Sequence, residues 1–75
     1  MKMKVYEKLV GSGYEPILVR KLKKGDVFKI CEGRKYIEGE DGCTVFVATS
    51  DPYLKDREDG DGQIWTIDYD INLNL

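Results

Sequence analysis

Hydrophobic residues recur with a period of two along most of the chain, and this alternation constrains the fold more than any other feature. It is clearest near the C-terminus, where Trp65, Ile67, Tyr69, Ile71, Leu73 and Leu75 alternate with Thr66, Asp68, Asp70, Asn72 and Asn74. Side chains two residues apart share one face of a strand, so the pattern predicts a half-buried strand with an apolar face and an acidic, amide-rich face. From Ile64 onward such a strand would extend about 40 Å. That is long for a chain of 75 residues. The segment has to bend, carry a bulge or run past the core.

The other strands follow from shorter runs. Val45-Phe46-Val47-Ala48, continuous and apolar between Thr44 and Thr49, predicts a central strand covered on both faces. Asp26 to Cys31 forms another, entered through the turn Lys23-Lys24-Gly25-Asp26. Tyr14 to Val19 reads as a strand with Pro16 near its start, which suits a sheet edge. Lys4 to Val10 fits either a strand or a short helical turn, although Gly11 and Gly13 would close a helix after barely two turns. Turn chemistry separates these runs. Gly11-Ser12-Gly13 is a tight turn, Glu32-Gly33-Arg34-Lys35 divides two short strands, and Gly39-Glu40-Asp41-Gly42 reads as a hairpin loop. Ser50-Asp51-Pro52-Tyr53 opens a longer excursion to Gln63, the one loop long enough for a role of its own. No repeat, heptad or amphipathic helix is present. The expectation is an all-β fold: a single domain over residues 1–75, an SH3-like or partly open β-barrel of five to six short strands. Closing the strands on each other removes exposed edges.

Charge is sorted along the chain. Residues 1–35 carry ten Lys/Arg against four acids, a net +6, whereas residues 36–75 carry two against ten, a net −8. This asymmetry points to partners rather than to fold. Composition narrows the function classes. The chain has no histidine, which removes the usual general base near neutral pH and most zinc sites. Cys31 and Cys43 stand twelve residues apart without a second pair. They read as free thiols of a reducing compartment, and a disulfide between them is open only if they face each other on neighbouring strands. A domain this small has little room for a substrate pocket beside its core. A non-enzyme without cofactor or metal is expected. No apolar run approaches a membrane span, and no apolar segment follows the basic N-terminus as in a signal sequence, so a cytoplasmic location is expected.

One motif imitates a metal site. Asp59-Gly60-Asp61-Gly62-Gln63-Ile64 reproduces the middle of a calcium-binding loop. Counting outward, however, Arg57 falls where the first carboxylate belongs, and Asp68 falls where a bidentate Glu is needed. A solvated acidic turn is the expected outcome.

Two surfaces remain as candidates. Asp51, Tyr53, Leu54, Asp56, Glu58 and Asp59 of the long loop combine acids with apolar anchors, to which Trp65 adds a neighbour. Aromatic anchors ringed by charge are what protein interfaces favour, so a protein partner is expected here. Arg20, Lys21, Lys23 and Lys24, continued by Lys29, Arg34 and Lys35, form the alternative. That ridge suits phosphates, with Tyr6, Tyr14 or Tyr36 as stacking surfaces, and implies nucleic-acid binding. A third use of the chain is a homodimer through an overhanging C-terminal strand carrying Ile71, Leu73 and Leu75.

Three stretches carry a resemblance: Lys23-Lys24-Gly25-Asp26-Val27-Phe28, Thr44 through Tyr53, and Gly62-Gln63-Ile64-Trp65-Thr66-Ile67. Together they resemble short β-rich proteins common in phage and prophage genomes. These share a Lys-Gly-Asp turn into a strand, a strand ending in an Asp-Pro-Tyr loop, and a glycine-led strand with a Trp. The likeness covers about two-thirds of the chain. It implies a phage-type accessory factor or an inhibitor of host machinery, acting in the host cytoplasm, and transfers no catalytic residue.

Overall fold

The computed structural model describes residues 4–72 and divides them into eight strands. These are β1 (Lys4–Val10), β2 (Gly13–Ile17), β3 (Val27–Glu32), β4 (Lys35–Tyr36), β5 (Phe46–Ala48), β6 (Tyr53–Asp56), β7 (Gln63–Thr66) and β8 (Tyr69–Ile71). Single 3-10 turns lie at Val19–Lys21 and Glu40–Gly42. Six strands form one sheet in the order β2-β1-β3-β5-β8, with β4 also paired to β3; β6 and β7 form a separate two-stranded sheet. All pairings are antiparallel.

Local chemistry sets these reversals. Val10 faces Gly13 across β1–β2, leaving Gly11-Ser12 as a two-residue loop in which Gly11 has φ 61°. Glycine enters that left-handed region at no steric cost, which settles Lys4–Val10 as a strand. The Lys23–Asp26 turn forms as its sequence predicts. The Asp26 N–H donates to the Lys23 carbonyl at 3.0 Å, and the Lys23 N–H donates to the Asp26 carboxylate at 2.9 Å. The Gly25 N–H then donates to the Ala48 carbonyl at 2.8 Å, clamping the turn to β5.

Residues 39–42 depart from expectation, because they are not a hairpin loop. β4 and β5 lie end to end along the same edge of β3, opposite Cys31–Glu32 and Val27–Phe28 respectively. The Ile37 N–H still donates to the Ile30 carbonyl at 2.8 Å, after which the chain bulges away and returns at Phe46. The excursion is closed at its base by the Gly39 N–H donating to the Cys43 carbonyl at 2.7 Å. A Cβ on Gly39 would meet Ile71 Cγ1 at 3.0 Å and Phe46 Cε1 at 3.2 Å. With φ at −89°, the need for glycine is close packing rather than backbone conformation. Gly39→Ala is therefore expected to destabilise the fold by about 1–3 kcal/mol in urea denaturation. An unchanged midpoint would contradict the close approach.

The core lies on one face of the six-stranded sheet. Leu22, Phe28, Ile30, Phe46, Ala48 and Ile67 are buried together, with Tyr6, Ile17, Val19, Ile37 and Ile71 packed around them. Phe28 is at the centre, fully inaccessible, with ring contacts to Tyr6, Phe46 and Tyr69 at centroid distances of 5.9, 6.2 and 5.6 Å. Phe46 and Ala48 of β5 are buried in a strand paired on both sides, the central position that the apolar run at 45–48 predicts. The expected cover on both faces is corrected: Val47, between them on the opposite face, is only half-buried.

The all-β, single-domain expectation holds at this level, but closure into a barrel does not. β2 and β8 end the sheet order unpaired with each other. Pro16 in β2 lacks a ladder donor, and on β8 the Ile71 N–H is taken by the Asp70 carboxylate at 2.8 Å. The chain also diverts residues 53–66 into the separate hairpin, leaving too little strand for closure. The single long C-terminal strand is likewise corrected. The chain leaves β7 at Thr66, buries Ile67 in the core, and joins β5 as β8, with the Thr49 N–H donating to the Asp68 carbonyl at 2.8 Å. The predicted bend is this change of sheet. Leu73 and Leu75 lie outside the described residues.

Candidate functional site: an exposed hairpin

The segment expected to be a long loop folds as one arm and the tip of a β-hairpin. β6 and β7 pair so that Leu54 faces Trp65 and Asp56 faces Gln63, while Tyr53 faces Thr66 and Lys55 faces Ile64. Directly opposed residues share a face, which puts Leu54, Trp65, Asp56 and Gln63 on one side of the ribbon. Every residue of β6 is exposed, and so are Gln63, Ile64 and Trp65 of β7. Leu54 is 48% exposed and Trp65 40%, and neither belongs to the buried cluster. The radius of gyration of 12.5 Å and long axis of 38 Å fit a projecting element. A domain of this length would have a radius of about 11 Å.

The tip and root explain why a solvated ribbon forms here. At the tip, the Arg57 N–H donates to the Gly62 carbonyl and the Gly60 N–H to the Arg57 carbonyl, both at 3.0 Å. Asp59 accepts the Asp61 N–H at 3.0 Å with one carboxylate oxygen and pairs with the Arg57 guanidinium at 3.1 Å with the other. The calcium-like stretch thus folds as a hairpin tip organised by Asp59, and no group of three or more metal-ligating side chains is gathered among the described residues. At the root, the Tyr53 hydroxyl donates to the Asp68 carboxylate at 2.7 Å, and the Asp68 N–H donates to Ser50 Oγ at 3.1 Å. The Lys24 N–H donates to the Asp51 carboxylate at 3.1 Å, and β7 rests against the Val19–Lys21 turn.

The six residues singled out in the loop therefore separate into roles. Asp51 braces the root, Tyr53 ties the root to Asp68, and Asp59 shapes the tip. Asp56 accepts a hydrogen bond from the Gln63 side chain at 3.2 Å across the ribbon. Leu54 and Glu58 are left facing solvent. Ile64, 53% exposed, is the residue that alternation hides. The adjacent apolar pair Ile64-Trp65 breaks the period of two and signals a strand that is apolar on both faces.

The hydrogen bond to Asp68, aided by partial burial and by the carboxylate's charge, raises the Tyr53 phenol above its ordinary pKa. Stabilisation from that bond is complete below the usual tyrosine value of about 10 and is lost as pH rises through the raised one. Tyr36 is raised in the same way, first by its hydrogen bond to Glu7, and Tyr6 chiefly by burial.

The basic candidates lie beside this site. Arg20 and Lys21 occupy the 3-10 turn and Lys23 and Lys24 the turn before β3, all four exposed. The two charged halves thus meet at the hairpin root, through the Lys24 backbone and Asp51. They meet without pairing. The ion pairs among the described residues are Lys8–Asp26 at 3.5 Å and Arg57–Asp59 at 3.1 Å, and neither joins segment 20–24 to the hairpin. Tyr6, packed on Phe28, offers no open ring, whereas Tyr14 and Tyr36 lie on the other side of the sheet. Cys31 and Cys43 are both free thiols. No helix among the described residues is long and apolar enough to cross a membrane. Comparison with protein families, curated proteins and solved structures finds no match to this chain.

Proposed function

We propose that the protein is a small non-enzymatic binding module that docks on a protein partner through the β6–β7 hairpin. One observation carries the reading: Leu54 and Trp65, paired directly across the ribbon, are about half exposed on an element whose apolar residues contribute nothing to the core. Isolated two-stranded hairpins are marginal in water, and apolar cross-strand pairs left in solvent gain most by being covered. Asp56 beside the pair and Glu58, Asp59 and Asp61 at the tip give the anchor an acidic rim, which suits a basic partner surface. The sequence resemblance to short phage and prophage proteins supports reading such a module as an accessory factor or inhibitor acting in the host cytoplasm.

The test is affinity capture with the intact protein and with a Leu54→Ala/Trp65→Ala variant as baits, under matched conditions. Truncating two central anchors is expected to weaken a partner roughly 30-fold or more. A partner held equally by both baits would sink the assignment. A nucleic-acid role for Arg20, Lys21, Lys23 and Lys24 is the second reading, supported by their exposure without ion pairs. A homodimer through β8 would have to use an edge on which the outward Ile71 N–H is already bonded to Asp70.

A further inference from the structure

The six-stranded sheet has two faces, and the core occupies only one. The strand register gathers Glu7 and Leu9 of β1, Tyr14 of β2, Lys29 and Cys31 of β3 and Tyr36 of β4 on the other. Apart from β7 against the Val19–Lys21 turn, the extensive contacts between elements join strand neighbours, so among the described residues no strand or 3-10 turn is extensively packed on this face. Its centre is organised. The Lys29 ammonium sits 4.4 Å from the Tyr14 ring centroid and 5.3 Å from that of Tyr36. The two rings therefore lie within about 10 Å of each other, close enough for successive bases of one strand to use both. The Tyr36 hydroxyl donates to Glu7 at 2.7 Å, which fixes that ring at 44% exposure.

Charge at the rim favours an anion. Arg34 stands on the β3–β4 turn near Tyr36, exposed, and forms no ion pair among the described residues. A shallow hollow of about 360 Å³ runs along that turn from Glu32 to Ile37. Glu7 is the carboxylate within the cluster, directly opposite Lys29 in the register, and Glu32 and Lys35 face each other on the other side of the sheet, which leaves Arg34 as the excess cation. The acidic hairpin is rooted at the other end of β3, where Gly25 bonds to Ala48. The five residue steps from Val27 to Glu32 put roughly 17 Å between the two ends.

We propose that this open face binds single-stranded nucleic acid, with Tyr14 and Tyr36 as stacking platforms and Lys29 and Arg34 as phosphate contacts. Flat π-faces beside mobile cations are what sequence-tolerant single-strand binding requires. Exposed cation–π contacts are weak, so the Lys29 ammonium leaves the rings for a phosphate as a base takes its place. A duplex keeps its bases in the stack and offers the rings nothing. The site is separate from the Arg20–Lys24 segment and from the hairpin.

Fluorescence anisotropy with a labelled oligothymidylate of about 15 nucleotides tests the proposal. Wild-type protein should bind at low salt, with a logarithmic salt slope of about −1.4 for two phosphate contacts. Tyr14→Ala and Tyr36→Ala should each weaken binding about tenfold or more, whereas Tyr36→Phe, which loses the Glu7 bond but keeps the ring, should retain it. Glu7→Gln should tighten binding. Lys23→Ala/Lys24→Ala and Leu54→Ala/Trp65→Ala should leave it within about twofold, so this proposal and the hairpin reading fail independently. In a Cys43→Ser background, the oligonucleotide should slow modification of Cys31, which lies on the same face. Absence of binding at low salt, loss confined to the Lys23/Lys24 variant, or an unprotected Cys31 would each overturn it. So would equal affinity for duplex DNA.

Discussion

Replacing Ile67 with alanine is expected to lower stability by about 2–5 kcal/mol, while Trp65→Ala, two residues earlier, stays within about 1 kcal/mol. Period-two alternation assigns both residues to one apolar face and would make the larger Trp65 the costlier loss. The structure separates them. Ile67 is 3% exposed inside the core cluster, and Trp65 is 40% exposed on the hairpin. Ile67 is where the chain crosses from the hairpin to the main sheet, so its side chain also fastens that crossing to the core. Urea denaturation of the two variants decides the matter. For a domain of this size the Ile67 variant should melt at least about 10 °C lower. Comparable losses at both positions would show that the hairpin packs into the core.

Phe28→Ala is expected to be the most damaging single truncation, at about 3–5 kcal/mol. Phe28 is fully inaccessible and shares ring contacts with Tyr6, Phe46 and Tyr69, so its removal opens a cavity touched by β1, β5 and β8 at once. A domain of this length has a total stability of roughly 4–11 kcal/mol. The variant should therefore lose a large share of that stability and melt roughly 15 °C or more below the wild type. A cooperative melt near the wild-type temperature would contradict the placement of Phe28 at the centre.

Much of the architecture was legible because strand signals are local. The Lys23–Asp26 turn, the Gly11-Ser12 reversal, the edge position of Pro16 and the paired setting of Phe46–Ala48 all follow from residue chemistry within a few positions. The misreadings are long-range. Nothing near Gly39 indicates that β4 and β5 share one edge of β3, because that depends on Phe46 and Ile71 approaching its Cα. The change of sheet at Ile67 is equally hidden, since alternation continues unbroken through it. At the candidate site, composition correctly drew attention to residues 51–59 but could not tell anchors from braces. Asp51 and Asp59 look like free acids in the sequence, and they prove to be bonded to the Lys24 and Asp61 backbone. The organised Tyr14–Lys29–Tyr36 face arises from three separate strands and has no contiguous signature at all.

The central claim is that the β6–β7 hairpin is an arm carried by the core rather than a part of it. Native-state hydrogen exchange on the free protein tests it most directly, because it reports the opening free energy of each hydrogen-bonded amide. The hairpin amides of residues 53–56 and 63–66 should exchange through local opening, about 100-fold or more faster than those of Phe28, Ile30 and Ala48. Protection in the hairpin equal to that of β3 and β5 would show one cooperative unit and contradict the account.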